Sequence, residues 1–230
     1  MSDPYLSKPR TLQFWASTCV VLPVFVQAPW VHIYPISALL FTAVLLLTGI
    51  VLIQFLSARF VNVGALFIGI SGSWLGGCLF WGWLRSYPIW HLPVESIALP
   101  IAIAGLNTRW RIGAGFYLAS LLGTAITDLM ILCTGVMKSW PEVVNANFQT
   151  ASQLLHQTSQ ELISPENIGL LIGAAGLIAY FAYLMNQKAV NSRNFKSTWL
   201  VASAALITTL WVDGLFFITT LFQPQLSGLI

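Results

Sequence analysis

Long apolar runs alternate with short polar interruptions along the chain. A membrane helix needs roughly 20 mostly apolar residues. Runs of that kind occupy residues 12–34, 36–56, 61–84, 88–106, 112–136, 168–186 and 198–222, which predicts seven spans. The longest interruption, 137–167, opens with Ser139-Trp140-Pro141-Glu142, a capping-box pattern, and then sets Val144, Phe148, Ala151, Leu155 and Leu162 at helical spacing. That predicts one amphipathic helix lying along the membrane surface between spans five and six. Ser164-Pro165 reads as an N-cap followed by proline at the first helical position of the sixth span.

Composition agrees with an all-α, polytopic transmembrane helix bundle forming a single domain. Charged residues make up 7% of the 230 positions and hydrophobic ones 57%, where a soluble domain carries about 25% charge. So few charges cannot cover a water-exposed surface, and the bilayer is the predicted partner. The net charge of +3 is spread singly between apolar runs, which excludes the basic stripe that nucleic acid requires. With seven spans and a cytoplasmic N-terminus, Lys8, Arg10, Arg59, Arg109, Arg111, Lys188, Arg193 and Lys196 fall on the cytoplasmic side, and Arg85 and Lys138 fall outside. Eight basic residues against two follow the positive-inside rule, and dropping one span would scramble the pattern. Trp15, Trp110 and Trp199 then mark one interface and Trp30, Trp83, Trp90 and Trp140 the other. The C-terminus is expected on the outer side.

The first apolar run is expected to remain as a span, because it is longer than a signal-peptide core and is interrupted by proline. Cys19, Cys78 and Cys133 sit in separate runs without CxxC spacing and read as small packing residues. Small residues recur every four positions in the third span (Gly69, Ser73, Gly77, with Gly72 and Gly76 beside them) and in the fifth (Gly115, Ala119, Gly123). Such rows let helix backbones approach closely.

Acidic residues change the picture most. Asp3, Glu142, Glu161 and Glu166 belong to the tail and the outer connection, but Glu95, Asp128 and Asp213 fall inside apolar spans. One ionised aspartate at a helix centre costs about 2.5–3.5 kcal/mol on insertion scales, so the three must be protonated, paired, hydrated or bound to something. They lie seven, eight and nine residues in from the outer ends of their spans, or about 10–14 Å deep at 1.5 Å per residue. Three helices thus bring a carboxylate to one level, and a polar cavity open to the outer side is expected there. His91 stands one turn above Glu95, while Arg85 and His32 lie at outer helix ends. Pro88, Pro93 and Pro100 are expected to break the Glu95 helix, and Pro23 and Pro29 to break the first span around Gln27. Freed carbonyls are tolerated at that depth only beside protein or a water-filled cavity.

Three functions remain open. A cation or proton site would use Glu95, Asp128 and Asp213, with His91 and Arg85 tuning their charge. The sequence names no ion and leaves any metal or cofactor unknown. Alternatively, ten tryptophans and small-residue helix faces suit an assembly or accessory subunit of a larger membrane complex, one that binds pigment, lipid or quinone. An intramembrane enzyme acting on a lipid-like substrate ranks last, since no HExxH, GxSxG, aspartate-rich or phosphate-cradling motif is present. Against all three, each acid could be a lone, protonated packing residue. His156, on the outer segment, is expected to be solvated.

The strings Leu22-Pro23-Val24-Phe25, Gln27-Ala28-Pro29, Trp81-Gly82-Trp83-Leu84-Arg85, His91-Leu92-Pro93-Val94-Glu95, Leu122-Gly123-Thr124-Ala125, Thr127-Asp128 and Val212-Asp213-Gly214-Leu215-Phe216 resemble an uncharacterised cyanobacterial family of integral membrane proteins. The resemblance covers nearly the whole chain. It implies a plasma-membrane or thylakoid location, with the periplasm or lumen as the outer side, and it assigns no catalytic residue. It also brings the complex-assembly reading nearly level with transport.

Overall fold

A computed structural model describes residues 9–56, 60–192 and 194–222. Asp3, Lys8, Arg59 and Arg193 lie outside the described residues. Within them every regular element is helical. Seven helices are long and apolar enough to cross a membrane: α1 (Arg10–Ile33), α2 (Pro35–Gln54), α3 (Val61–Leu84), α4 (Pro88–Gly105), α5 (Arg111–Cys133), α8 (Pro165–Asn191) and α9 (Lys196–Phe222). Two shorter helices, α6 (Val136–Asn145) and α7 (Phe148–Glu161), connect α5 to α8. The chain is therefore a multi-pass helical membrane protein.

α3 is the most buried span, packed between α2 and α5, and α9 gathers α1, α5 and α8 around itself. Trp74 of α3 is 2% exposed; its indole N–H donates to the Ala38 carbonyl of α2 at 2.9 Å, and Trp30 and Phe41 pack edge-on against it. In hydrocarbon such joints hold by close fit and hydrogen bonding, because lipid tails are as apolar as the side chains they replace.

The closest joint uses the small residues of α3 and α5. Gly69 and Gly113 touch backbone to backbone, so that a Cβ on Gly113 would collide with the Ala65 carbonyl oxygen. Further along α3, Gly76 lies against the Glu95 backbone of α4 and Gly77 against the Gln27 amide of α1. The glycine row of the third span thus serves three different neighbours.

Three expectations about the outer connection need correction. Span five stops at Cys133, short of 136, because Gly135 adopts the left-handed conformation (φ 82°) and ends the helix in a glycine C-cap. The outer segment is two helices, where one was expected. Ala146 and Asn147 are extended, and Asn147 caps α7 by accepting the Thr150 N–H at 2.9 Å. Ser139 lies within α6 and donates to the Val136 carbonyl at 2.9 Å, so Ser139 and Glu142 do not form a capping box. Val144, Leu155 and Leu162 are buried as the spacing predicts, whereas Phe148 is 57% exposed. Ser164 does cap α8, accepting from Asn167 at 3.4 Å. That helix continues to Asn191, past the expected end at 186, where Lys188 sits 4.9 Å from the Trp199 ring. Arg111 likewise lies 5.1 Å from the Phe195 ring. These cation–π contacts brace the face that carries most of the positive charge.

Two outcomes check this architecture. Gly113→Ala should lower stability in detergent by about 1–3 kcal/mol through overpacking. Gly173→Ala on α8, where a Cβ meets nothing within 4 Å, should be neutral or gain up to about 1 kcal/mol of helix propensity. Equal thermal shifts would contradict the α3–α5 contact. With Cys133 changed to Ser, an impermeant maleimide should label exposed Gln149→Cys from outside intact cells, and exposed Asn107→Cys only after lysis. The reverse pattern would invert the orientation.

Candidate functional site

The break in α4 comes from its prolines. Residues Pro88–Trp90 and Ser96–Ala98 form tight 3-10 turns on either side of the single α-turn His91–Glu95. Proline supplies no N–H, so neighbouring carbonyls find other donors. The Glu95 carbonyl accepts the Tyr117 hydroxyl at 2.5 Å and the Pro93 carbonyl accepts the Ser96 hydroxyl at 2.8 Å. In α1, Pro23–Gln27 forms a wide π turn. It buries Gln27, whose amide donates to the Trp74 carbonyl and to Cys78 Sγ. Both broken segments were expected from the prolines.

Between them lies a cavity of about 280 Å³. Glu95, Asp128 and Asp213 all line it, together with His91 and Gln27. His91 occupies the middle: its Nδ1 lies 2.9 Å from Asp128 Oδ1 and its Nε2 lies 3.3 Å from Glu95 Oε1. Phe80 at the end of α3 packs on the imidazole with ring centroids 4.3 Å apart. Glu95 Oε2 accepts the Thr124 hydroxyl at 3.0 Å, and Asp213 Oδ2 accepts the Thr127 hydroxyl at 2.7 Å. The side chains of His91, Glu95 and Asp128 retain 23%, 19% and 12% exposure, so they face open cavity rather than being sealed in packing.

Carboxylates only accept, and a neutral imidazole has one donor and one acceptor nitrogen. Both His91 contacts are therefore favourable together only when two protons are shared among His91, Glu95 and Asp128, whichever atoms hold them. With all three acids ionised and His91 charged, the cavity would still carry two excess negative charges. Among the described residues no lysine or arginine pairs with these acids. Two further protons, or a divalent cation, would cancel that excess. Among the described residues no group of three or more His, Cys, Asp or Glu side chains is arranged to hold a metal ion.

Arg85 departs from expectation. Its guanidinium meets His32 Nδ1 at 2.5 Å, and its carbonyl accepts the Trp140 indole N–H at 3.0 Å. Arg85 thus fastens the outer end of α3 to α1 and to the outer hairpin and does not reach the acids. Nor is His156 simply solvated, since its Nδ1 lies 3.1 Å from the Thr220 carbonyl, tying α7 to α9.

Sequence reasoning missed Thr124 and Thr127 as carboxylate partners. The signal was present, because Ser120, Thr124, Thr127 and Asp128 follow the i, i+4, i+7, i+8 spacing of one helix face, and all four line the cavity. Tyr117 and Phe80 had no such signal, since a tyrosine or phenylalanine in an apolar span looks like any other packing residue.

The pattern that defines a family of proteins of unknown function (DUF3120) matches residues 16–221, and the chain belongs to that family. No curated protein and no solved structure matches it.

The hydroxyl partners can be tested apart from any activity. Thr124→Val and Thr127→Val should each cost about 1–3 kcal/mol, because each removes a donor to a buried carboxyl. Thr42→Val, at a buried hydroxyl without a partner, should cost nothing. Equal losses in detergent unfolding would show that the two hydroxyls contribute only bulk.

Proposed function

We propose that this DUF3120 protein binds protons in the His91, Glu95, Asp128 and Asp213 cavity and relays them across the membrane. The observation that carries the reading is the seat of His91 between Glu95 and Asp128, with Asp213 on the same cavity wall. An imidazole between two carboxyls accepts a proton through one nitrogen and gives one up through the other. Protons also remove the excess negative charge without the shell of oxygen ligands that a hard metal cation needs. Asp213 supplies a further acceptor, and the Thr124 and Thr127 hydroxyls orient the carboxyls. Gln27 and the broken turns of α1 and α4 line the polar space that water needs beside them.

The resemblance to cyanobacterial proteins favours the plasma or thylakoid membrane, with the cavity toward the periplasm or lumen. Arg85 acts in this scheme as a structural anchor.

In proteoliposomes carrying an imposed pH gradient, the wild-type chain should collapse the gradient. Glu95→Gln, Asp128→Asn and Asp213→Asn should each slow the collapse about tenfold or more, with insertion unchanged and no dependence on added metal cations. Wild-type rates in all three variants would overturn the proposal, and strict dependence on one cation would convert the site to a cation site.

A further inference from the structure

A second, larger cavity of about 380 Å³ lies between α8 and α9 beneath the outer hairpin. It meets the first at Thr127, Asp213, Trp140 and Phe216, which line both. Its walls are otherwise dominated by Met, Ile, Val, Leu, Ala and Phe side chains. Of the other hydroxyls that line it, Ser139, Ser159 and Thr220 donate to carbonyls of their own helices, at 2.9, 2.8 and 2.9 Å, and Thr158 pairs with Ser139 at 3.3 Å. Asp213, held by Thr127, is the polar end of a largely apolar chamber. Ile172 of the membrane-spanning α8 lines the chamber while 67% exposed, so the chamber reaches the surface of the bundle. At Gly214, another lining residue, a Cβ would meet nothing within 4 Å.

We propose that this chamber binds the chain of a single-tailed amphiphile taken from the bilayer, with a hydrogen-bond-donating head, an amine or a hydroxyl, at Asp213. The volume falls in the range of small-molecule sites that are mostly apolar with a few polar groups fixing orientation. Chain and walls match as lipid matches lipid, so orientation comes from the head. A carboxylate head offers no hydrogen-bond donor to the Asp213 oxygens and is excluded. The shared wall brings such a head beside the proton-binding cavity, yet the chamber stands on its own geometry.

Photolabelling of the full-length protein in nanodiscs tests this with three probes of equal chain length: a photoactivatable alkylamine, the matching alcohol and the matching carboxylate. Saturable labelling of α8 and α9 peptides is expected from amine and alcohol but not from carboxylate. The relative yields of amine and alcohol identify which donor head is preferred. Gly214→Phe should fill the chamber and reduce labelling about tenfold while leaving gradient collapse intact, and Asp213→Asn should retain labelling but lose the amine-over-carboxylate preference, a change of about tenfold. Ala175→Phe fills the chamber from α8 and replaces Gly214→Phe should that variant fail to fold. Competition by unlabelled amine on the wild-type chain needs no variant. Labelling that does not saturate, that is unaffected by filling the chamber, or that is as strong with the carboxylate would overturn the proposal. Because Gly214→Phe reports on the chamber and the Glu95 and Asp128 amide variants on proton movement, either idea can fail without the other.

Discussion

Hydrocarbon does not solvate charge, and the arrangement of this molecule follows from that constraint. Three acids on three helices, lining one cavity, can persist together only by sharing protons, partners or water. His91, Thr124 and Thr127 supply the partners, and a cavity of about 280 Å³ supplies the space. The same requirement explains the broken helices. The irregular turns of α1 and α4 expose backbone groups at membrane depth, where they are tolerable only beside a polar cavity or a side-chain donor. Tyr117 meets the Glu95 carbonyl and Gln27 meets that of Trp74.

Packing brings these pieces together. Gly76 admits the Glu95 backbone to the surface of α3, and Gly77 admits the Gln27 amide. Larger residues at either position would push the broken segments, and the groups they carry, away from the cavity. Gly69 and Gly113 set the α3–α5 spacing, which positions Asp128 relative to α4. The small residues that first suggest a tight bundle are therefore also what assembles the site. Outside, Trp140 links the connection between α5 and α8 to the end of α3 through the Arg85 carbonyl and lines both cavities, so that connection forms part of the wall of the site.

How much could be read from residues alone depended on the range of the interaction. Span number and limits follow from local hydropathy, and the helices begin and end within a few residues of expectation. Convergence of Glu95, Asp128 and Asp213 was legible because a membrane turns sequence position into depth. Long, flexible side chains were not legible in this way. Arg85 looked placed to neutralise the acids, but helix position leaves open which way a guanidinium turns, and its partner is His32. The single outer helix failed for a different reason, since the apolar spacing continues across Ala146 and Asn147 while the backbone there is extended. The second cavity had no sequence signature, because its walls are the same residues that face lipid elsewhere.

The site stands on His91 joining Glu95 and Asp128 within one cavity. Solid-state NMR in lipid bilayers tests it most directly, by dipolar recoupling between the ring nitrogens of His91 and the side-chain carboxyl carbons of labelled aspartate and glutamate, with His32 and His156 replaced so that a single histidine reports. One ring nitrogen should couple to Asp128 and the other to Glu95, and each coupling should be lost in the corresponding Asn or Gln variant. A His91 ring coupled to neither carboxyl would contradict this arrangement.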